Sequence, residues 1–472
     1  MKDRINIITL IIWLVFIPVS CIGPGTGGED ISYDLHISNP LDGYEVPLGN
    51  TIALTVEPDE ELGGLGEAQV KFFLDGTEIQ TTPMDNEDIA LFRNNFGFLW
   101  NVSGINPGSH TLKAEIILDN RIVARDEIRI NVVPARWEKI DLSPILGESN
   151  YYIRDMYLLD EHTGWICGYW GSSYFLLRTD DRGATWQMVN NHLNLKRIAF
   201  YNNQIGVAIS NTDKVYKTFN GGRSYILVTD PSSGINLFNH AYDVAFGTSS
   251  NEYFVTTPYD LGDDPVYIYR MGLAQNNVLQ STLIVNEQIN YGTFSLRFHG
   301  RDALISNMEH YQNNMQYVWI SHDGGQTWNN AEIAPPEAWN GGRNNYIVNN
   351  GDISGNLVWL CGGDTRDFLE GFAAVSTDGG HTWNIKALAH KLSFFTGALN
   401  DIAIAENGRV YAVTYTSQYL PALYYTMDNG NNWYPVYEVS QSQDEGVYKV
   451  DFKGNNFGLV IGESMLFRYI GQ

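Results

Sequence analysis

Cysteine is scarce, with three residues in a chain of 472. A disulfide-built domain and a cysteine-rich zinc site are therefore poor readings. Cys167 and Cys361 sit in matching contexts, Trp165-Ile-Cys-Gly and Trp359-Leu-Cys-Gly. Equivalent places in non-adjacent repeats stand farther apart than the roughly 7 Å between Cα atoms that a disulfide tolerates, so both read as small buried residues. Basic residues are also few: 29 Lys plus Arg against 54 Asp plus Glu, a net charge of −25. No Lys/Arg cluster supplies the footprint a nucleic acid needs. No stretch after the first twenty residues is long and apolar enough to cross a bilayer, so any membrane attachment is expected at the N-terminal end. No cofactor motif and no set of metal ligands stands out.

Residues 1–20 read as an export signal. Lys2 and Arg4 precede Ile5 to Ile17, in which only Asn6 and Thr9 are polar; the stretch has about the length of a signal core. It ends in Val19-Ser20-Cys21 and a Gly-rich tether over 21–30. This resembles a bacterial lipoprotein signal, in which Cys21 carries the lipid, although Pro18 stands where Leu is usual. The alternative is ordinary secretion. The resemblance implies a lipid-anchored protein of the cell envelope.

Residues 31–134 read as a β-sandwich. Ile52-Ala-Leu-Thr-Val56, Val70-Lys-Phe-Phe-Leu74, His110 to Ile116 and Asp126 to Val133 are short strands, and Asp75-Gly76 and Asn106-Pro-Gly108 are turns. No convincing helix occurs there. Asn39-Pro-Leu-Asp-Gly43, the Val70 to Gly76 segment and Pro107 to Leu112 resemble in layout the immunoglobulin-like modules of bacterial surface and carbohydrate-active proteins. The Cys…Trp…Cys core of antibody domains is absent. Asn101-Val-Ser103 fits a glycosylation acceptor and reads as a plain loop in a bacterial chain.

Residues 136–472 are repetitive. Thr179-Asp-Asp-Arg-Gly-Ala-Thr-Trp186 returns as Ser321 to Trp328 and Ser376 to Trp383, and more loosely as Thr218 to Tyr225 and Thr426 to Trp433. Each copy follows an apolar, aromatic run, the pattern of radially repeated four-stranded sheets. Seven units are expected, the third (Ala241 to about Leu283) lacking the turn motif. The last lacks an outer strand, which Trp137 to Leu142 can supply, closing the ring and removing its sheet edges. The fold is thus expected to be all-β, an N-terminal immunoglobulin-like sandwich followed by a seven-bladed propeller. Asp181, Asn220, Asp323, Asp378 and Asp428 are read as structural: each side chain can accept N–H groups of its own turn. Gly183, Gly325, Gly380 and Gly430 occupy the place needing positive φ. A calcium loop needs more oxygen ligands than each box offers.

These boxes resemble the Asp-box repeats of sialidases, sortilin-type receptors, xyloglucan-cleaving glycosidases and photosystem II assembly-factor-like propellers. The fuller pattern, Ile153 to Gly168 followed by Leu177-Arg-Thr-Asp-Asp-Arg-Gly, is most similar to the last group. The resemblance implies the fold and leaves the activity open. No sialidase arginine triad can be assembled from Arg343 and Arg366, since Arg270 and Arg297 fall in strands. One propeller supplies at most half of a xyloglucanase cleft. A glycoside hydrolase with a carboxylate pair near the central channel is one reading, and an assembly factor for an envelope complex is another. The preferred reading is a monomer that binds a glycan or protein on the face opposite the boxes, the sandwich serving as a spacer. The candidate residues in those loops are Tyr169, Trp170, Tyr259, Asp263, Asp264, His310, Tyr311, Trp339, Arg343, Asp364, Arg366, Asp367 and Tyr415. Aromatic plates beside carboxylates and arginines suit sugar rings or a peptide.

Overall fold

The computed structural model describes residues 33–49, 51–58, 68–83, 96–229, 240–257, 267–283, 293–308, 316–333, 346–364, 371–387, 398–406, 408–414, 421–440 and 446–471. The fold is almost entirely strand. The first part has two sheets. Leu35–Asn39, Thr51–Pro58 and Phe96–Asn101 form one, and Glu45–Pro47, Arg121–Val133, Gly108–Leu118, Gln69–Leu74 and Thr77–Pro83 form the other, in that order. Alternating apolar residues such as Ile52, Leu54 and Val56 face Val70, Phe72, Leu112, Ala114 and Ile116 across an apolar core.

The remaining described strands make seven four-stranded antiparallel sheets, here called blades one to seven, each running from the innermost strand outward in chain order. The seventh is completed by Trp137–Ile140, which pairs with Leu466–Tyr469 from the opposite end of the chain. Packing between neighbouring blades is apolar: Trp165 stacks on Phe200 of the next blade at 3.9 Å and 7°. The one described helix, Ser143–Leu146, bridges the closing strand to blade one and buries Leu146.

The sandwich is docked rather than held off as a spacer. Tyr44 packs on Tyr434 of blade six at 5.6 Å, and its hydroxyl donates to the Trp433 carbonyl at 3.2 Å. Tyr437 buries its ring in the sandwich core and donates to Asn39 Oδ1 at 3.0 Å. At the junction, the Arg136 backbone N–H donates to Glu438 at 2.7 Å while its guanidinium donates to Glu45 at 2.6 Å. Burial raises the pKa of Glu438.

Blade three has no box, and a neighbour holds its turn instead. Lys217 of blade two is buried and donates to Leu273 O at 2.8 Å and Asn276 Oδ1 at 2.7 Å, both in that turn. Burial depresses this ammonium. Lys217→Met strands those two acceptors, and the expected cost is about 1 to 3 kcal/mol, measured by denaturant unfolding.

Candidate functional site

The boxes build one end of the propeller. In blade four the Ser321 hydroxyl donates to Asp323 Oδ1 at 2.8 Å and accepts from Gly325 N at 2.9 Å. Asp323 also accepts from Thr327 N at 2.9 Å and Thr327 Oγ1 at 2.6 Å, and Trp328 Nε1 reaches Gly325 O at 3.1 Å. Asp181 and Asp378 repeat the pattern, and Asp428 keeps the carboxylate bonds with Asn432 in place of Thr and without the indole hydrogen bond. Asn220 keeps it with one reversal, its amide donating to Ser224 Oγ at 2.8 Å. Gly325 and Gly380 take φ of 81° and 92°. A backbone N–H next to the box glycine reaches the first hairpin of its own blade, as from Gly324 to Arg301 O at 2.8 Å. The carboxylates are thus consumed by their own turns, and among the described residues no group of three or more metal-ligating side chains comes together.

Burial would raise the Asp323 carboxyl, but the hydrogen bonds from Thr327, Ser321 and Gln326 outweigh it and hold its pKa down at about 2. Asp378 is lowered too, chiefly by Thr382. Stability from a depressed carboxyl is complete above its unfolded value of about 4 and drains away as pH falls toward about 2. Asp323→Ala is expected to lower stability by about 1 to 3 kcal/mol at neutral pH, and Asp323→Asn by less, as blade two shows. Urea titrations at neutral pH and at pH 3 test this, the gap between wild type and Asp323→Ala narrowing in acid.

The innermost strands surround an axial cavity of about 550 Å³. Five of them carry a bulge near their first residue, which leaves Arg154, Lys196, Asn349, Asn400 and Tyr448 out of the ladder. A bulge re-aims the side chain it frees, and here these side chains collect at the mouth opposite the boxes. Three of them stitch the ring: Asn349 donates to Leu399 O at 2.7 Å, Asn400 to Val447 O at 3.3 Å, and Tyr448 to Ile153 O. Cys167, a free and buried thiol, meets Leu195 O of the next blade at 3.7 Å. Cys361 is also buried and free.

Below the mouth the carboxylates are committed to the scaffold. Asp155, Asp243, Asp352 and Asp401 accept N–H groups of Ile198, Leu296, Ile404 and Val450, at 2.9, 2.9, 2.8 and 3.1 Å, each from the following blade. Lys449 pairs with Asp155, and Arg197 stands 3.9 Å from Asp243. Arg297 of blade four reaches across to blade six, donating to both oxygens of Asp401 at 2.9 and 2.8 Å, with Asp451 of blade seven at 4.0 Å. Burial raises the Asp401 carboxyl, against the pull of that guanidinium. For Arg297 the carboxylates outweigh burial and keep it charged.

The mouth over blades one and two is different. Tyr152 and Tyr169 stack at 5.1 Å and 11°, and Arg154 lies over Tyr169 at 4.6 Å from the ring centre. Arg154 donates to Asn211 of blade two. Lys196 pairs with Asp213 beside it.

Of the residues expected from sequence, Tyr169 and Trp170 close the strand Gly164–Trp170 instead of lying in the turn. Tyr169 faces this mouth. Trp170 is half-buried against Phe175, 6.0 Å away, and packs on the core of blade one, so it is scaffold more than plate. Asp364 ends the strand Leu357–Asp364 on the same side of blade five. Tyr259, Asp263, Asp264, His310, Tyr311, Trp339, Arg343, Arg366, Asp367 and Tyr415 lie outside the described residues, as does Cys21. Sequence reasoning missed Arg154, Tyr152 and Asn211. The available signal was a pair of polar residues after an apolar one at the start of the first strand, as in Ile153-Arg-Asp, Leu195-Lys-Arg and Leu399-Asn-Asp.

Fold and repeated turn together define the class: the chain is a β-propeller of the BNR, or Asp-box, type. The BNR/Asp-box repeat model matches residues 319–330. Among solved structures, YCF48 bound to D1 peptide is similar over 72% of this chain and 98% of its own, with 19% identity and a TM-score of 0.50. YCF48 from Cyanidioschyzon merolae is similar over 71% and 99%, with 15% identity and a TM-score of 0.49. The β-propeller domain of the Trilobed protease from Pyrococcus furiosus covers 68% and 96%, with 9% identity and a TM-score of 0.45. No curated protein matches the chain.

Proposed function

We propose that this chain is a binding propeller of the cell envelope, and that it takes a segment of another protein at the channel mouth opposite the Asp boxes. The observation that carries this is the division of labour in the axial cavity. Its carboxylates hold neighbouring blades together, whereas Tyr152, Tyr169 and Arg154 form an aromatic and cationic platform at the rim. Glycoside hydrolysis needs two carboxylates free to act as acid and as base or nucleophile. Asp155, Asp243, Asp352 and Asp401 are each bound by a backbone N–H, and Asp451 by Phe452 N and near Arg297. YCF48, which shares the fold, is known bound to a peptide.

Purified protein would be screened on peptide and glycan arrays, with hydrolysis assays on every glycan retained. Peptide binding is expected, and Tyr169→Ala should weaken it about fivefold or more, as truncation of an interface hot spot does. Retention of glycans alone would make the ligand a sugar, and glycan turnover would overturn the reading altogether.

Envelope attachment through lipidated Cys21 is part of the same proposal, supported by the short apolar segment that ends at this thiol. Wild type is expected in the detergent phase and Cys21→Ala in the aqueous phase, since two acyl chains anchor firmly. Equal aqueous recovery would remove the anchor.

A further inference from the structure

Building on the binding role proposed above, we infer that the mouth over blades one and two is a carboxylate-reading subsite. Arg154 there receives an acidic side chain of the bound protein segment. The chain has a net charge of −25, so a surplus cation in a cavity wall is unexpected from composition. At and just below this mouth three carboxylates have their own cations: Asp155 has Lys449, Asp243 has Arg197, and Asp213 has Lys196; Glu463, whose backbone carbonyl accepts from Ile153 N, is exposed to solvent. Arg154 has no carboxylate within ion-pair distance among the described residues. It lines the axial cavity.

The guanidinium is also held in place. Its face lies 4.6 Å from the centre of Tyr169, which is backed by Tyr152 at 5.1 Å, and one N–H is spent on Asn211. The bulge at Arg154 turns this side chain out of the strand ladder. A planar fork fixed by stacking, with donors left over, matches a carboxylate and loses little freedom when one binds. An ammonium would not have that geometry. Long-range repulsion from the acidic surface disfavours anions in general, so an acidic preference in the ligand would have to come from a local group such as this one.

The test uses short synthetic peptides with amidated C-termini, so that only side chains can supply a carboxylate. Peptides retained by wild type should be rich in Asp or Glu. Changing the critical acid to its amide should cost about tenfold in affinity, the scale of a hydrogen bond to a charged group. In Arg154→Gln the acidic and amide peptides should bind alike, with melting unchanged. Arg154→Lys should recover only part of the discrimination, which also covers the case in which Arg154→Gln fails to fold. If acid and amide peptides still differ tenfold in Arg154→Gln, the acid is read elsewhere and the inference fails. Peptides bound without acidic preference would also sink it while leaving the binding role intact. No peptide bound at all would remove both.

Discussion

Arg297→Met is expected to lower stability by about 3 to 5 kcal/mol, the cost of stranding a buried charge. Asp401 is 1% exposed and receives both of its guanidinium hydrogen bonds from this residue. Its other donors are neutral backbone groups, Ile402 N at 3.0 Å and Val450 N at 3.1 Å. The double variant Arg297→Met, Asp401→Asn should recover part of the loss, because the amide can still accept from Val450 and the most buried carboxylate is gone, while Asp451, 4.0 Å from the guanidinium in wild type, still loses its cation. Denaturant unfolding of the two single variants and the double gives the coupling directly. If Arg297→Met unfolds at the wild-type midpoint, the bridge across the channel is not part of what holds blades four, six and seven around it.

Gly362→Ala should be nearly as damaging. A Cβ there would sit 1.8 Å from Ile347 O and 2.7 Å from Phe372, and Gly168 meets Tyr152 O at 2.0 Å in the equivalent place. The first obstacle is backbone, which cannot rotate away as a side chain can. Overpacking costs about 1 to 3 kcal/mol when side chains can yield, and more is expected here. Blade six accommodates Thr414 opposite Leu399, its hydroxyl donating to Ala398 O at 3.1 Å. That blade therefore sets the control: Thr414→Ala should lose a hydrogen bond and a buried methyl, about 2 kcal/mol, while Gly362→Ala loses more in thermal and denaturant melts.

The propeller was legible in the sequence because its most repetitive part is local. An Asp with Ser or Thr two residues before it and Gly two after it closes a turn on itself, so Thr179 to Trp186 and its copies announce their structure without help from distant residues. The outer strand supplied by Trp137–Ile140 was legible for a related reason: the last unit visibly lacked one. The mouth was not legible. Whether Arg154 points into the axial cavity or out to solvent depends on a one-residue slip against Gly164–Trp170, and such a slip is a property of the pairing, not of either strand alone. Alternation by itself misassigns the residues that follow. Trp170 shows the opposite difficulty: an aromatic beside a turn has a half-buried ring that packs on Phe175, because a wide ring covers core as easily as it binds ligand. The docking of the sandwich depends on Asn39 and Tyr44 meeting Tyr437 and Trp433, 398 and 389 positions later, and on Glu45 meeting Arg136, 91 positions later, and no local pattern encodes that.

The closing strand also has a mechanical role. Arg121–Val133 of the sandwich leads within a few residues into Trp137–Ile140, the edge strand that shuts the ring. A pull on the sandwich relative to the propeller would, through that short connection alone, peel the ring open at its closing seam, one residue pair at a time. The clamp of Tyr44 on Tyr434 and Tyr437 on Asn39 lies in parallel with this connection, and Arg136 N ties the connection itself to Glu438. It diverts tension into blade six, whose four strands are continuous in the chain. Under load the sandwich–propeller joint thus acts as a strain relief, and the ring opens only after the joint has failed.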